Sequence, residues 1–223
     1  KYVVKGIDCK VVIENNGILG CINRNNDIVF YKIKNYSNNN DNNYNMNINN
    51  DKNGDRFENP SEMSDRIFAA SNQTGIGLTH LPVLYAHGGF GALAPHEGQK
   101  RFIQNINQFQ LLLEKLNKRY GNDNQRKIGM ALHSLRAVSP EMVKDAIALM
   151  SEEPIHIHIS EQTKEVDQCV DWSGKRPVEW LLENINVNKR WCLIHATHMN
   201  NKEINALANT PVSYTHLTLP TTP

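Results

Sequence analysis

The sequence lacks several features that would assign it to a specialised class of protein. Its 223 residues include only four cysteines, none of them in a C-x-x-C pair. This pattern disfavours a disulfide scaffold and favours free thiols in a reducing, cytoplasmic compartment. A formal net charge of +1 gives no general attraction to nucleic acid or to anionic membranes. No apolar run approaches the ~18 residues of a membrane span, and no signal-peptide core follows Lys1. We therefore expect neither nucleic-acid nor membrane partners.

Hydrophobic and aromatic residues are also scarce, at 39% and 7% of the chain, and residues 1–57 carry most of the deficit. The run 35-NYSNNNDNNYNMNINNDKNGD-55 is dominated by Asn, and we expect it to be disordered. Residues 10–34 have the composition of two or three short strands around Asn/Gly turns. Two origins stay open for residues 1–57, namely translated non-coding or foreign sequence and a lineage-specific insertion. Because the first residue is not Met, an incomplete amino end is expected.

Residues 58–210 alternate between helical and strand patterns. Asn59 is the predicted N-cap of the first helix, with Pro60 at its first position and Gly75 at its end. Helices are predicted near 59–73, 99–120, 139–150, 162–171 and 176–185, with a last one near Asn200, and strands at 76–87, 127–135, 154–160 and 190–198. Such alternation indicates an α/β fold with a parallel sheet. It fits a partial (β/α)8 TIM-type barrel of about four central strand–helix units, or a doubly wound sheet.

Residues 211–223, PVSYTHLTLPTTP, show no periodicity and continue no helix. The string resembles a translated transposon-end sequencing adapter, which the codons GTC-TCT-TAT-ACA-CAT-CTG fit from Val212 onward. We expect an artefactual tail and exclude His216 from any site. The alternative is a Thr/Pro-rich coil.

Three successive predicted strands each place a histidine near their end. Apolar residues lead into 133-HSLR-136, 158-HISE-161 and 195-HATH-198. Ligand and catalytic groups gather at the carboxyl ends of strands in parallel α/β folds. One such histidine would carry little weight, but three in succession indicate a candidate site.

The stretch 154-PIHIHISEQ-162 predicts a metal ligand and a nearby base. Strand alternation puts His156 and His158 on one face, where unpaired imidazoles would be costly. His158, next to the strand end, is the expected ligand, while ligand and packing roles stay equally open for His156. Glu161 follows where the chain turns, and a carboxylate there can take a proton from metal-bound water and return it to a leaving group. The alternative for Glu161 is a place at the positive end of a helix dipole.

The remaining polar residues give weaker signals. His195 is placed to contact the attacked group or the metal-bound water, and His198 ranks below it. The planar fork of Arg136 suits a substrate carboxylate, with a salt bridge as the alternative. His133 is placed to contact the same substrate, with a satisfied core histidine as the alternative. No role is assigned to His80, His87 or His96.

These residues resemble a known family. The stretches 75-GIGLTHLPVLYAHGGFG-91, 131-ALHSLRAVSPE-141, 156-HIHISEQTKEVDQCVDWSGKRPVEWLLE-183 and 191-WCLIHATHMN-200 are similar to formimidoylglutamate deiminases of the amidohydrolase superfamily. H-x-x-E followed by a His-bearing strand is shared by many amidohydrolase deaminases. The H-S-L-R and W-S-G-x-R-P-V-E-W strings point to this family in particular.

The resemblance implies a (β/α)8 barrel with one zinc ion and a small-molecule substrate from histidine degradation. N-formimino-L-glutamate would be hydrolysed to N-formyl-L-glutamate and ammonia. His158 would be the strand-five zinc ligand, Glu161 the proton shuttle, and His195 the histidine that orients the reacting centre. His133 and Arg136 would bind substrate, with Arg136 pairing to a glutamate carboxylate. A homodimer is the one assembly considered for the complete enzyme, and the sequence does not give the oligomeric state.

The chain also departs from the family pattern. The family's first-strand His-x-His zinc pair should precede residue 58, but that region contains no histidine. The Asp that completes zinc binding should lie beyond Thr210, where the adapter-like tail begins. We therefore expect this chain to be a fragment that binds zinc poorly and has no deiminase activity.

Other functions stay open at this point. One is a different amidohydrolase deaminase, such as a purine-type enzyme, which Arg136 argues against. Another is a non-enzymatic barrel fragment with unpaired sheet edges. A third is an Asn-rich interaction protein, which only residues 1–57 support.

Overall fold

A computed structural model describes residues 12–14, 17–19, 50–51, 53–122 and 124–215. The first of these form an antiparallel pair of strands, β1 (Val12–Glu14) and β2 (Gly17–Leu19). This pair matches the prediction of short strands within residues 10–34. The predicted disorder of the Asn-rich run falls mostly outside the described residues. At its end, however, the Asn50 side chain donates hydrogen bonds to the carbonyls of Lys100 and Ile103.

The helices follow the predicted alternation closely. The described residues form α1 (Glu62–Thr74), α2 (Ile106–Tyr120), α3 (Pro140–Ala148), α4 (Thr163–Ser173), α5 (Pro177–Asn184) and α6 (Asn201–Ala208), with a short 3-10 helix at Glu97–Phe102. The predicted helix over 99–120 is therefore a 3-10 turn followed by α2.

Capping residues explain where several helices begin and end. The side chains of Asn105 and Asn200 each accept a hydrogen bond from the third helical N–H, and the side chains of Gln108 and Glu203 each accept one from the backbone N–H of the cap. Gly75 ends α1 in the left-handed conformation, as predicted. The prediction for the start of α1 was wrong. The helix begins after Ser61, because Asn59 accepts hydrogen bonds from the Ser61 amide and hydroxyl instead of capping the helix itself.

The strands are parallel and lie in chain order. A five-stranded sheet has the order β4 (Val83–Leu84), β6 (Met130–Leu132), β7 (Ile155–Ile159), β8 (Trp191–His195) and β9 (Ser213–Thr215). A second parallel pair joins β3 (Leu78–His80) to β5 (Arg126–Ile128). The strands predicted at 76–87 and 127–135 are each split in two, and helices connect successive strands as the α/β prediction requires.

Strand β9 lies within the predicted tail. Cys192, Leu193 and Ile194 of β8 stand opposite Ser213, Tyr214 and Thr215 in parallel register. Sequence patterning gave no sign of this strand, because three residues are too few to show alternation. The adapter-like origin of 211–223 stays a prediction.

The core lies between the sheet and its helices. Large side chains from both layers are fully buried, among them Phe68, Phe109, Leu116, Leu132, Ile157, Leu181, Trp191 and Leu193. One face of α2 supplies one wall through Phe109, Leu112, Leu113 and Leu116, as their helical spacing predicted. Within the described ranges, no helix combines the length and apolar character needed to cross a bilayer. The carboxyl ends of β6, β7 and β8 are left as one polar edge.

Candidate active site

Three histidine rings meet at the carboxyl edge of the sheet. Because β6, β7 and β8 are parallel neighbours, His133, His158 and His195 come together although they are far apart in sequence. The rings of His133 and His158 are 5.3 Å apart between centroids, and those of His158 and His195 are 5.5 Å apart. The structure thus brings together the three histidines that the sequence singled out.

The middle ring, His158, presents one nitrogen to the edge. Its Nδ1 lies 2.8 Å from the carbonyl oxygen of His133. A carbonyl only accepts hydrogen bonds, so Nδ1 carries the proton and Nε2 keeps its lone pair. Burial lowers the pKa of His158, which favours the neutral ring. A neutral imidazole oriented by a backbone carbonyl has the chemistry of a metal ligand.

One imidazole does not make a metal site. Across the described ranges, no group of three or more His, Cys, Asp or Glu side chains is placed to hold a metal ion. A structural zinc site needs four protein ligands and a catalytic one three. His158 therefore fits a zinc ligand singly, but the described residues do not supply the rest of the coordination sphere.

Glu161 and His195 face each other across the ends of two strands. The Glu161 carboxylate lies 3.9 Å from Nε2 of His195. Both side chains are partly exposed, at 38% and 23%, so a reactant can reach them. A carboxylate and an imidazole this close can both exchange protons with one molecule bound beside them.

The backbone at these two strand ends is strained. Ser160, His195 and Ala196 have φ values of 51°, 72° and 49°, in the left-handed region that side chains other than glycine seldom adopt. The Ala196 amide donates to the Ile159 carbonyl at 2.9 Å, and the His198 amide donates to that of Ser160 at 2.9 Å. These hydrogen bonds fix the ends of β7 and β8 to each other. Strain of this kind is concentrated at functional sites.

His133 and Arg136 lie beside this cluster. The His133 ring stands edge-on to Tyr85, and burial, aided by the charges of His158 and Arg136, lowers the pKa of His133 to about 3. Arg136 lines an open cavity of about 540 Å³, with Phe90, Trp172, Gln162 and Lys164 among its other walls. Within the described residues, no hydrogen bond or ion pair engages the Arg136 guanidinium. The Arg136 charge acts on the buried Glu165 carboxylate, but its N–H groups form no hydrogen bond to the protein within the described residues and are suited to a ligand anion.

The other histidines have different surroundings. His80 is buried and lies 2.9 Å from the hydroxyl of Ser64. His96 caps the 3-10 helix by accepting from the Gly98 amide. His156 is buried in β7, and burial lowers its pKa to about 4. His198 contributes backbone groups, since its carbonyl accepts a hydrogen bond from Arg176.

Two buried carboxylates at this edge escaped the sequence reasoning. Glu165, in the first turn of α4, accepts hydrogen bonds from the amides of Ser160 and Glu161, both at 3.0 Å. Burial raises the pKa of Glu165. Glu203, in α6, pairs with Arg176 at 2.7 Å and accepts from the Val178 and Asn200 amides. A signal existed for Glu165, because helical spacing puts it on the same face as Val166 and Cys169.

The chain has relatives among proteins of known function. No family model matches the chain. It is 45% identical over 162 residues to formimidoylglutamate deiminase from Pseudomonas aeruginosa, which is 72% of this chain and 36% of that protein. It is 30% identical over 101 residues to 5-methylthioadenosine/S-adenosylhomocysteine deaminase from Thermodesulfovibrio yellowstonii, covering 44% of this chain and 23% of that one. The chain thus spans little more than a third of the curated deiminase.

Solved structures are similar to the chain as well. An amidohydrolase from Brucella melitensis superimposes with a TM-score of 0.72 at 48% identity, over 74% of this chain and 37% of that one. Atrazine chlorohydrolase from Arthrobacter aurescens, complexed with zinc, has a TM-score of 0.60 at 18% identity, over 70% of this chain and 34% of that one. The second similarity shows the fold alone.

The parallel strands with their crossover helices, together with the 48% identity to a solved amidohydrolase, assign the matched residues to an amidohydrolase barrel. Within that class, the matched residues are homologous to formimidoylglutamate deiminase. The predicted fold and family resemblance are thereby confirmed.

Proposed function

We propose that residues 58–210 are the central part of an enzyme that hydrolyses N-formimino-L-glutamate to N-formyl-L-glutamate and ammonia. The observation that carries this proposal is Arg136. Its guanidinium forms no hydrogen bond or ion pair within the described residues and lines a cavity, and its charge acts on His133, His158 and Glu165. A substrate that carries carboxylates would supply the missing anion. The 45% identity to formimidoylglutamate deiminase supports the same substrate.

Each site residue has a proposed role in the reaction. His158 would hold a zinc ion through Nε2, since its Nδ1 is engaged by the His133 carbonyl. When bound, zinc lowers the pKa of a coordinated water toward 7. Glu161 takes a proton from the attacking water and delivers it to the departing nitrogen as ammonia. His195 orients the reacting carbon's substituents, and Arg136 with His133 holds the glutamate portion.

The net reaction balances with water alone. Water adds to the formimino carbon, the carbon–nitrogen bond to the terminal nitrogen breaks, and the carbon becomes a formyl group. Glu161 ends in the state in which it began, so one carboxylate suffices for both proton transfers. We also propose, from the family resemblance, that the enzyme acts in histidine degradation in the cytoplasm.

The 223-residue chain itself is proposed to be inactive. The direct measurement is ammonia release from N-formimino-L-glutamate by the purified chain with added zinc. We expect no release above the uncatalysed rate, because the described residues offer a single imidazole in place of a full ligand set. Zinc-dependent release of ammonia would contradict this.

The substrate proposal has a separate test that needs no turnover. N-formyl-L-glutamate should perturb the NMR signals of Arg136, Gln162 and Trp172 in the cavity wall, and Arg136→Met should abolish the perturbation. Lys115→Met is the matched control, because Lys115 contacts Asn59 and does not line the cavity; it should leave binding unchanged. Binding that survives Arg136→Met would remove the main support for a glutamate-type substrate.

A purine-type deaminase is the second candidate, because the Thermodesulfovibrio yellowstonii deaminase is 30% identical over 101 residues. Adenosine should then perturb the same signals, aided by stacking on Phe90 or Trp172. We favour the glutamate substrate, because adenosine has no carboxylate to pair with Arg136.

A further inference from the structure

Glu165 is a carboxylate in an unusual place. Only 1% of its surface is exposed. Burial raises the pKa of its carboxyl group, and the positive charge of Arg136 opposes this. Both of its oxygens face backbone N–H groups. Oε1 accepts from Ser160 and Oε2 from Glu161, each at 3.0 Å. A buried charge is retained at a position like this when several donors depend on it.

The two amides that Glu165 accepts belong to the turn that follows β7. Ser160 has a φ of 51° there, a conformation that its Cβ disfavours. Its hydroxyl is buried and forms no hydrogen bond with any described residue, so the side chain does not hold the turn. Two hydrogen bonds hold the Ser160 backbone instead: its carbonyl accepts from the His198 amide, and its own amide donates to Glu165, the side chain that stabilises the left-handed turn.

The next residue after this turn is Glu161, whose carboxylate lies 3.9 Å from His195. A change of φ at Ser160 from the left-handed to an ordinary value would swing the Glu161 side chain away from the strand edge. The direction of Glu161 thus depends on the conformation of Ser160, and the conformation of Ser160 depends on Glu165.

We propose that Glu165 is a positioning residue, whose carboxylate holds Ser160 in the left-handed conformation and thereby directs Glu161 toward His195. Its meaning for catalysis rests on the proposed function, because that function makes Glu161 the proton carrier. The geometric claim stands by itself and can be measured in the 223-residue chain without any turnover.

The test compares Glu165→Gln with wild type by NMR. An amide side chain has one acceptor oxygen and turns an NH2 group toward the other backbone donor. We expect the Ser160 and Glu161 amides to exchange with solvent at least about tenfold faster. We also expect loss of the Overhauser contact between the Glu161 side chain and the His195 ring, while amides inside β7 keep their protection.

Glu203→Gln is the matched control. Glu203 is equally buried and also accepts two backbone amides, but these belong to Val178 at the start of α5 and to Asn200 at the cap of α6. It should lower the melting temperature without altering the Ser160 signals or the Glu161–His195 contact. Equal loss of that contact in both variants would show general loosening, and would overturn the proposal.

Glycine at position 160 provides a rescue. Glycine adopts a φ of 51° without strain, so Ser160→Gly combined with Glu165→Gln should restore the Glu161–His195 contact. Ser160→Ala with Glu165→Gln keeps the Cβ and should not. If Glu165→Gln alone does not fold, the two double variants are compared with each other. Folding and the Glu161–His195 contact in the glycine double variant, but not in the alanine double variant, would support the proposal.

The proposal would be overturned if neither double variant restored the Glu161–His195 contact. Native signals in Glu165→Gln alone would also overturn the proposal. Failure of the proposed function looks different. An enzyme carrying this segment that does not act on amidines would remove the catalytic meaning of Glu161 and leave these NMR results unchanged.

Discussion

Two regions of the molecule contain buried histidine and treat it in opposite ways. The first is the His80 corner, made of Ser64, Asp65, Phe68, His80 and Tyr120. There His80 lies 2.9 Å from the Ser64 hydroxyl and edge-on to Phe68. Asp65 accepts from Tyr120 at 2.8 Å and pairs with Arg119 at 2.6 Å. Every one of these polar groups stabilises another.

The second region is the histidine edge, made of His133, Arg136, His158, Ser160 and His195. Within the described residues, the Arg136 guanidinium and the Ser160 hydroxyl have no hydrogen-bond partner. Ser160 and His195 also hold left-handed backbone conformations. These features cost folding free energy and are kept where a function requires them.

The difference teaches that a histidine at the end of a strand is not by itself a sign of a site. His80 ends β3 as His195 ends β8. The two histidines differ in whether the polar groups around them have hydrogen-bond partners. In the corner the polar groups are satisfied, whereas at the edge they are left available to a ligand.

The largest effect should come from acid, through His80. Burial lowers the pKa of His80 from 6.5 to about 4, although the Asp65 charge opposes this. A pKa depressed in the folded state means that the protein loses stability as pH falls from 6.5 toward 4. The loss should be about 3 kcal/mol.

The measurement is urea unfolding of wild type and His80→Gln between pH 7 and pH 4. The variant should be less stable at pH 7 and should show a shallower acid slope. If the free energy of unfolding fell with pH equally in wild type and in His80→Gln, His80 would not be buried as a neutral ring. The contrast between the His80 corner and the histidine edge would then not hold.

A second effect should separate two arginines. At the opposite end of the sheet, Arg190 donates to the carbonyls of Glu153 at 2.9 Å and Met150 at 2.6 Å. Arg190→Met should lower the free energy of unfolding by about 2 kcal/mol, because those carbonyls lose charged donors.

Arg136→Met should change the same quantity by less than about 0.5 kcal/mol. Chemical denaturation at pH 7 measures both variants. If Arg136→Met lowered the free energy of unfolding as much as Arg190→Met does, Arg136 would be a residue that stabilises the fold and not one that is free to bind a ligand.

The smallest effect should separate two buried serines. Ser64→Ala leaves His80 without its partner and should cost about 1 kcal/mol. Ser160→Ala removes a hydroxyl that has no partner in the described structure, so its stability should equal or exceed that of wild type. Differential scanning calorimetry compares the two, and equal losses would erase the contrast between corner and edge.

The element order could be predicted from the sequence because the apolar spacing changes clearly from strand to helix. The breaks that divide the predicted strands 76–87 and 127–135 could not be predicted. A Cβ at Gly129 would lie 2.5 Å from the Pro154 carbonyl, so the backbone approaches closely there and β5 ends before β6 begins. That contact links residues far apart in the sequence, and no local pattern reports it.

The histidine edge was predictable for a similar reason, since parallel strands bring their ends together whatever the helices between them. The supporting carboxylates were not. The partners of Glu203 include Arg176, which lies on the far side of β8 in the sequence. Burial of a charged residue depends on such partners, and composition cannot reveal them.

The five-stranded sheet has a further consequence, because its spatial order is the order of synthesis. From β6 to β9, each strand pairs with the one made just before it. A chain leaving the ribosome can therefore add one strand–helix unit at a time, always at the edge formed by the newest strand. The same order lets whole units be gained, lost or exchanged at the β9 edge during evolution while every interior pairing stays intact.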